Sequence, residues 1–379
     1  MNFDWNAEEN ELRNKVVALF DEKARGELAS MGDLDLPALK DFILGYLGRL
    51  GETGYLGLGA GPENRKEMFT VIAAQSDFAK HSGGLFLSVE TTARLFGGLV
   101  AGFADENLKK EILAPIQSGR LIGAVAVTEP GGEPQTGWQT QGKQDGDRYL
   151  VNGKKNFVTN GPIADWIAVA GEVDGKPAFF LISPSAEGVK IGERLSTMGY
   201  DGLAVSSLEL TDVEVAQSHV LGPFDNEESI DFLNGVQDLI LSSASVGVSK
   251  KMLEASNDHS RAYHRGKKPI YAHQEVRFKI SDMYTLVQAA ELITYRAGSF
   301  FANEEGEAQV MVSSAKVFTA EAAEQVANLA MQIMAGTGYV KGNPVEQGYR
   351  DAKYGAIAGT TSEMSRMKIA DDILRRFAI

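Results

Sequence analysis

The sequence of 379 residues contains no cysteine. Disulfide bonds, thiolate nucleophiles, iron–sulfur clusters and cysteine-based zinc sites are therefore excluded. The five histidines include no H-E-x-x-H or comparable ligand pair, so we expect no metal site. The sequence also lacks a G-x-x-x-x-G-K-[ST] phosphate loop, a strand-linked G-x-G-x-x-G fingerprint and a G-x-S-x-G nucleophile elbow. A redox cofactor must therefore be held by a different kind of site.

Positive charge is scarce relative to negative charge, which gives a net charge of −14 and a pI near 5.0. Such a chain is poorly suited to non-specific binding of nucleic acid or of an anionic membrane surface. No run approaches the roughly 18 apolar residues that a transmembrane helix requires. The acidic, amphipathic N-terminal segment MNFDWNAEENELRN is unlike a signal peptide. We therefore expect a soluble, cytoplasmic protein without nucleic-acid or membrane partners.

Hydrophobic periodicity divides the chain into three parts. Apolar residues recur at helical spacing up to about residue 120, as in ENELRNKVVALF and LPALKDFILGYL. From 121 to 225 apolar and polar residues alternate around Asp145-Gly146 and Asp174-Gly175, which are strong hairpin-turn signals. Long amphipathic helices follow. We predict a multidomain α+β fold with a helical domain at 1–120, an antiparallel β domain at 121–225 and a helical bundle at 226–379.

The last fifth of the chain contains a glycine-rich helix connection that could hold an anionic cofactor. A helix ends in the run 335–338, AGTG, and a further helix begins after Thr360. Thr360 and Glu363 have the spacing of a capping box, in which each side chain binds a free backbone N–H of the first turn. Exposed N–H groups at such a helix start favour bound negative charge.

Three strings near the C-terminus are Q-I-M-A-G-T-G, Y-R-D-A-K and G-T-T-S-E-M-S-R, and two more occur earlier in the chain, V-T-E-P-G-G at 127–132 and N-F-V-T-N-G at 156–161. In sequence and order these strings resemble those of the acyl-CoA dehydrogenases, flavoproteins that desaturate acyl thioesters. The α, β, α organisation is also similar, so the resemblance covers essentially the whole chain. It implies the acyl-CoA dehydrogenase fold, FAD as cofactor, an acyl-CoA substrate, an electron-transfer flavoprotein as partner, and a homo-oligomer, either a dimer or a tetramer.

The resemblance also implies a set of cofactor-binding residues. The backbone and hydroxyl around Thr128 would contact the pyrimidine edge of the flavin, the ring of Phe157 would pack beside it, and the Thr159 hydroxyl would reach N5. A loop near Arg265 would contact the FAD pyrophosphate of a neighbouring subunit. The implied cofactor-binding residues are Val125, Val127, Thr128, Phe157, Val158, Thr159, Arg265, His273, Gln274, Gln332, Gly336, Thr361 and Glu363.

The sequence departs from the family pattern at two of these places. Where the family has G-S-D after T-E-P-G-A, this chain has Glu133-Pro134-Gln135, so Pro134 replaces a serine that contacts the thioester ligand in relatives. In the loop that reaches the neighbouring subunit, Tyr263 stands at the family's arginine position. Four basic residues lie close by and could supply the positive charge that a pyrophosphate requires: Arg261, Arg265, Lys267 and Lys268.

The family's catalytic base is missing from both of its usual positions. Desaturation at Cα–Cβ needs a proton acceptor within hydrogen-bond reach of the substrate. The usual glutamate position holds Gly359, and the alternative position on an earlier helix holds Gln237. The remaining candidates are Asp238, next to the alternative position, and Glu90, on the helix that lines the acyl pocket in relatives. Glu129 of T-E-P and Glu363 of the capping box are expected to be structural.

We therefore predict an FAD-dependent acyl-CoA dehydrogenase-like oxidoreductase that removes a proton and a β-hydride from an acyl-CoA thioester. The displaced base position suits an atypical regiochemistry, such as a 1,4-elimination on an alicyclic ring, better than ordinary α,β-desaturation. Two alternatives stay open from the sequence: a non-catalytic FAD-binding partner subunit of an active homologue, and a flavin dehydrogenase or oxidase acting on a non-CoA or carrier-protein-bound substrate.

Overall fold

The computed structural model describes residues 5–132 and 137–376. The first part of the chain is helical, as predicted, and its helices begin at side-chain caps. Asn6 and Glu9 form a capping box at the first helix, and Asp35 and Asp105 cap two others. A π-helical turn at Thr91–Phe96 interrupts the segment between two of these helices. The helices are α1 Ala7–Val17, α2 Glu22–Ala29, α3 Leu36–Glu52, α4 Arg65–His81, α5 Gly83–Glu90, α6 Gly97–Phe103 and α7 Glu106–Gln117.

The middle part is a β-sheet with both strand directions. Its strands are β1 Gly123–Ala126, β2 Gln141–Asp145, β3 Arg148–Thr159, β4 Trp166–Val173, β5 Lys176–Ile182, β6 Val189–Ile191, β7 Val205–Ala216 and β8 Val220–Leu221. The order is β6-β7-β3-β2-β4-β5-β8, with β1 also paired to β4. The predicted hairpin turns at Asp145-Gly146 and Asp174-Gly175 are confirmed, since they join β2 to β3 and β4 to β5 by antiparallel pairing.

The prediction of a purely antiparallel domain was wrong in one respect. β1 pairs with β4 in parallel over 123–126, and β2 meets β4 in parallel at Gln141 and Glu172. Parallel partners need a long connection rather than a hairpin, and the alternation of residues within each strand carries no signal for such non-local pairing. The sheet is therefore mixed.

The last part of the chain is a bundle of long helices. It comprises α8 Glu228–Ala262, the short strands β9 His264–Arg265 and β10 Lys268–Pro269, then α9 Gln274–Ala302, α10 Ala308–Met334, α11 Pro344–Ala352, α12 Tyr354–Ile357 and α13 Ser362–Arg376. The order of a helical part, a sheet and a second helical part confirms the predicted fold class. The exact domain bounds at 120 and 225 stay predictions.

Among the described residues, three large apolar cores and one small one, of Val246, Ala290 and Ala322, hold these parts together. The largest joins the N-terminal helices to α8 through residues such as Phe78, Phe86 and Leu239. The second lies in the sheet, and the third lies among α8, α9, α10 and α11. α8 therefore contacts both helical parts and sets their relative position. Among the described residues, no helix is both long enough and apolar enough to cross a bilayer.

Candidate functional site

The C-terminal ends of β1 and β3 present donor groups and an unusually exposed aromatic ring. The Thr128 side chain, just beyond β1, is exposed, and its backbone N–H forms no hydrogen bond within the described residues. In β3 the pairing to β7 shifts register between Lys155 and Val158, and Phe157 at this bulge has a φ of 55°. The bulge turns the Phe157 ring outward, where 67% of it is exposed. A strained backbone and an exposed ring are features expected beside a ligand.

The predicted cofactor residues in these strands differ in what they offer. Val125, Val127 and Thr159 are half-buried and lie next to the exposed Phe157 and Thr128. Val158 is buried, with its side chain on the core side of the sheet, so only its backbone can contact a ligand. Pro134, at the predicted departure from the family pattern, lies outside the described residues.

A tyrosine from the C-terminal helices lies beside the end of β3, and we call the space that this tyrosine borders together with Thr128, Phe157 and Thr159 the crevice. The Tyr354 side chain, in α12, interacts with that of Thr159, and this contact lowers the pKa of Tyr354 while burial raises it more. The Tyr354 ring also packs edge-to-face against Tyr200, with centroids 5.0 Å apart. The contact brings the end of β3 beside the loop that connects α12 to α13.

That loop is held by two buried charged side chains. Lys316, on α10, is fully buried and its Nζ donates to the carbonyl oxygens of Ala358 and Thr360, both at 2.8 Å. Asp238, on α8, accepts the N–H of Thr360 through Oδ1 at 3.1 Å. Gly359 lies between these contacts with a φ of +61°, a conformation that glycine adopts without strain.

The structure brings together Gly359 and Gln237, the two residues that stand where the family usually has its catalytic glutamate. A Cβ atom on Gly359 would lie 2.9 Å from Asp238 Oδ1 and 3.4 Å from Gln237 Cγ. The Asp238 carboxylate therefore occupies the space at which a side chain on residue 359 would begin. Burial raises the pKa of Asp238, and the positive charge of Lys316 partly opposes this rise. Asp238 is thus a buried carboxylate beside the position where the family's base is expected.

The other predicted base, Glu90, lies in a different environment. Its Oε1 accepts the Tyr55 hydroxyl at 2.5 Å and its Oε2 accepts Gln75 Nε2 at 2.8 Å. The Arg94 Nε lies 3.8 Å from Oε2, and both side chains are fully buried. Ser243, on α8, donates to Gln75 Oε1 at 2.9 Å and extends this polar cluster. Both Glu90 oxygens are already bonded, so we interpret Glu90 as structural.

The predicted capping box at the start of α13 is off by one residue. The N–H of Met364 is accepted by Thr361 Oγ1 at 3.3 Å, so Thr361 rather than Thr360 caps the helix. Thr360 is unsuited to this role because Asp238 binds its N–H and Lys316 binds its carbonyl. Glu363 is exposed on the first turn.

The remaining predicted cofactor residues lie apart from the crevice. In the part of the chain that the structure describes, none of them forms a hydrogen bond or ion pair with the β1 and β3 residues. They are exposed in the described chain, and they are Arg265 in β9, His273 and Gln274 at the start of α9, Gln332 in α10 and Gly336 after it. Within one chain the predicted cofactor site is therefore in two parts.

The residues of the crevice fit a flavin dinucleotide. The Thr128 N–H, which has no acceptor among residues 5–132 and 137–376, and the Thr128 and Thr159 hydroxyls are donors of the kind that the pyrimidine edge and N5 of a flavin accept. The Phe157 ring has an exposed face of a size that a planar ring can cover. At the start of α13, the buried hydroxyls of Ser362 and Ser365 have no partner within the described residues. A phosphate group is favoured at such a helix start.

Sequence comparison assigns the family. Residues 124–213 match the acyl-CoA dehydrogenase middle domain and residues 239–374 match the acyl-CoA dehydrogenase C-terminal domain. The chain is 31% identical to the 3-(aryl)acrylate reductase of Clostridium sporogenes, with 97% of this chain and 99% of that protein covered. This chain belongs to the acyl-CoA dehydrogenase family. It is an FAD-dependent oxidoreductase of that family, as predicted.

Two further similarities agree with this assignment. The chain is 29% identical to the caffeyl-CoA reductase-Etf complex subunit CarC of Acetobacterium woodii over 98% of this chain and 99% of that protein. It superimposes on the butyryl-CoA dehydrogenase of Megasphaera elsdenii with a TM-score of 0.87 and 23% identity, covering 99% of this chain and all of that one. The acyl-CoA dehydrogenase fold is therefore confirmed, and the roles of individual residues stay predictions.

Three residues of the site were missed by the sequence analysis. Lys316 and Tyr354 lie in helices whose periodicity gives no sign of their long-range contacts. The burial of Lys155 could have been predicted, because in β3 this residue falls on the same face as Tyr149 and Val151, which are buried. A charged residue at a core-facing strand position indicates a buried, paired charge.

Proposed function

We propose that this member of the acyl-CoA dehydrogenase family transfers a proton and a hydride between an acyl-CoA thioester and FAD in the crevice between Thr159 and Gly359. The observation that carries the proposal is the buried Asp238 carboxylate beside Gly359, where the family's base is absent. FAD, when bound, supplies the hydride acceptor for oxidation or the donor for reduction.

Asp238 is the proposed proton-transfer group. Within the described residues, the Thr360 N–H donates to Asp238 Oδ1 and the Thr360 side chain also interacts with the carboxylate, whereas Glu90 accepts hydrogen bonds through both oxygens. Because burial raises the pKa of Asp238, it is a better proton acceptor than an exposed aspartate. Lys316 fixes the loop on its far side, so the carboxylate and Gly359 keep a constant separation.

The other crevice residues would bind and orient the reactants. Thr128 would hold the pyrimidine edge of the cofactor, Thr159 would hold its reactive edge, and the Phe157 ring would cover one side and exclude water. Further backbone contacts to the cofactor would come from Val125, Val127 and Val158. Thr361 and Glu363 would face the cofactor from the start of α13, where the dipole favours a phosphate.

A second copy of the chain is proposed to complete the cofactor site. Exposed apolar side chains lie on α9 and α13, including Phe278, Tyr284, Met367 and Leu374. Exposed patches of this kind mark association surfaces. A dimer or tetramer would cover them and could bring Arg265, His273, Gln274, Gln332 and Gly336 of one copy to the crevice of another. We expect light scattering to give a dimer or tetramer, and a monomer with full FAD content would contradict this part of the proposal.

An electron-transfer flavoprotein is the proposed redox partner. The support is the name of the Acetobacterium woodii relative, which is a subunit of a complex with such a protein. Reduction of a purified electron-transfer flavoprotein, followed by its absorbance, would be expected after substrate is added. The predicted cytoplasmic location stays a prediction that cell fractionation can test.

The reaction is tested with a panel of thioesters. Protein with its FAD content measured by absorbance is mixed anaerobically with linear, aryl and alicyclic saturated acyl-CoAs, and bleaching identifies the class that is oxidised. Dithionite-reduced protein is mixed with the matching unsaturated thioesters, because two relatives are named reductases. Products are then identified by NMR, because 1,2- and 1,4-elimination give positional isomers of equal mass. Protein that holds FAD and responds to no thioester in either direction would favour the non-catalytic partner subunit instead.

A further inference from the structure

A buried lysine lies directly behind the strand end that presents Thr128. Lys155, in β3, is fully buried, and its Nζ donates to the carbonyl oxygen of Val127 at 3.0 Å. The same ammonium lies 2.9 Å from Glu129 Oε1 and 4.3 Å from the centre of the Trp138 ring. A lysine is rarely buried completely unless it is paired, and Glu129 is the partner of Lys155 here.

Glu129 is fixed in place on its other side. Its oxygens accept the N–H of Gln139 at 2.7 Å, the N–H of Thr140 at 2.8 Å and the Thr140 hydroxyl at 2.6 Å. These bonds hold the pKa of Glu129 below its ordinary value, and burial opposes them. The Glu129 carboxylate is thus an immobile anchor that sets the position of the Lys155 ammonium.

The contact with Val127 determines the direction of the next N–H group. The peptide bond between Val127 and Thr128 is planar and trans, so its carbonyl and its N–H point in opposite directions. Because the Val127 carbonyl points to Lys155, the Thr128 N–H points away from it, toward the crevice. The N–H of Asn156 binds the Thr128 carbonyl at 2.8 Å and fixes the following peptide as well. A cation on the carbonyl also polarises the peptide, which strengthens its N–H as a donor.

We propose that Lys155 is a positioning residue, which aims and polarises the Val127–Thr128 peptide so that the Thr128 N–H stabilises negative charge on the pyrimidine edge of reduced FAD. The inference rests on the proposed placement of FAD against Thr128. A fixed donor at the point where charge develops is more effective than a mobile one, because no reorganisation is needed. Lys155 would therefore raise the reduction potential of the bound cofactor.

The test compares two neighbouring lysines. Lys155→Met removes the buried ammonium, and Lys154→Met is the matched control, because Lys154 lies on the opposite face of the same strand, exposed and paired with Glu209 at 2.7 Å. FAD dissociation constants and two-electron midpoint potentials are measured for both variants and for the wild type. We expect Lys155→Met to bind reduced FAD about tenfold less tightly relative to oxidised FAD, a shift of about 30 mV to lower potential. Lys154→Met should match the wild type.

Two outcomes can be told apart. If the wild-type protein does not bind FAD, the proposed function fails. If it binds FAD and Lys155→Met folds with the potential of Lys154→Met, the inference about Lys155 is wrong, since a purely structural ion pair would lower stability without moving the potential.

A pH measurement keeps the inference testable if Lys155→Met does not fold. Burial lowers the pKa of Lys155 to about 8, and Glu129 is the charged group that faces it within the described residues. As pH rises through 8 the ammonium loses its charge, so the wild-type potential should fall more steeply between pH 7 and 9 than that of Lys155→Arg, which stays charged. Equal slopes would contradict the proposal.

Discussion

Two regions of the molecule bury a carboxylate against α8, and the two carboxylates differ in their hydrogen-bond partners. In the N-terminal core, Glu90 is surrounded by Tyr55, Gln75 and Arg94, which bond both of its oxygens. At the junction of α8 with the α12–α13 loop, Asp238 accepts the Thr360 N–H through Oδ1 and interacts with the Thr360 side chain, and burial raises its pKa. Burial alone therefore does not identify a base. The number of hydrogen-bond donors already bound to the carboxylate oxygens separates a structural acid from a reactive one.

The strongest way to break this comparison is to neutralise each carboxylate without changing its shape. We expect Asp238→Asn to slow the reductive half-reaction by roughly 10²- to 10⁴-fold, because an amide cannot accept the proton. Glu90→Gln serves as the control and should change that rate far less. Anaerobic stopped-flow absorbance of protein with matched FAD content measures both. An Asp238→Asn variant that keeps the wild-type rate would remove Asp238 as the base.

The second prediction concerns stability in the N-terminal core. Glu90→Ala leaves the fully buried Arg94 without its counter-charge, and loss of one partner of a buried pair costs about 3–5 kcal/mol of unfolding free energy. Urea unfolding should show this loss, whereas Glu111→Ala, an exposed site on α7, should stay within about 0.5 kcal/mol of the wild type. Equal stability of the two variants would show that Glu90 does not hold the Arg94 charge.

The third prediction extends the comparison to Asp351, on α11, which binds the Tyr200 N–H at 2.6 Å. Burial raises the pKa of Asp351 from 3.8 to about 6, and Lys251, Asp201 and Arg350 are the charged groups around it. A raised pKa means that the folded state holds the proton more tightly. The contribution of the Asp351 proton to the unfolding free energy is therefore complete below pH 3.8 and is lost as pH rises through 6.

Asp351→Asn should abolish that pH dependence. The difference in unfolding free energy between wild type and variant should fall by roughly 1–3 kcal/mol between pH 4 and pH 7. Chemical unfolding at a series of pH values gives the difference curve directly. A curve that is flat over this interval would mean that Asp351 is ionised throughout.

The smallest expected effect is at the empty base position. Gly359→Ala should cost about 1–2 kcal/mol, because a residue with a Cβ is strained at φ +61° and the new atom would lie 2.8 Å from Leu241 Cδ1. Gly306→Ala is the control, since a Cβ there meets no atom within 4 Å. Gly359→Glu should not restore the rate of Asp238→Asn, because the strained backbone and the amide side chain at position 238 would keep the new carboxylate out of place. A rescued rate would show that the loop accepts the family's usual base.

Local strings predicted their own structure well. The hairpin turns at Asp145-Gly146 and Asp174-Gly175 were found as expected, because a two-residue turn is determined by its own φ requirements. The start of α13 was misplaced by one residue, because Asp238, which is distant in sequence, binds the Thr360 N–H that Glu363 would have bound in the predicted capping box. The parallel pairing of β1 with β4 was missed for the same kind of reason, since its partner lies beyond a long connection.

The sequence by itself determined the family, the order of helical and β parts, the lack of thiol chemistry and the emptiness of both usual base positions, because these depend on residue identity and short-range pattern. Only the tertiary structure decided that Glu90 is bonded on both oxygens, that Asp238 lies beside Gly359, and that Lys155 and Lys316 bury their charges against carbonyl groups. The physical reason is that burial, desolvation and hydrogen-bond satisfaction depend on residues that are distant in the chain and meet only when the helices pack around the sheet.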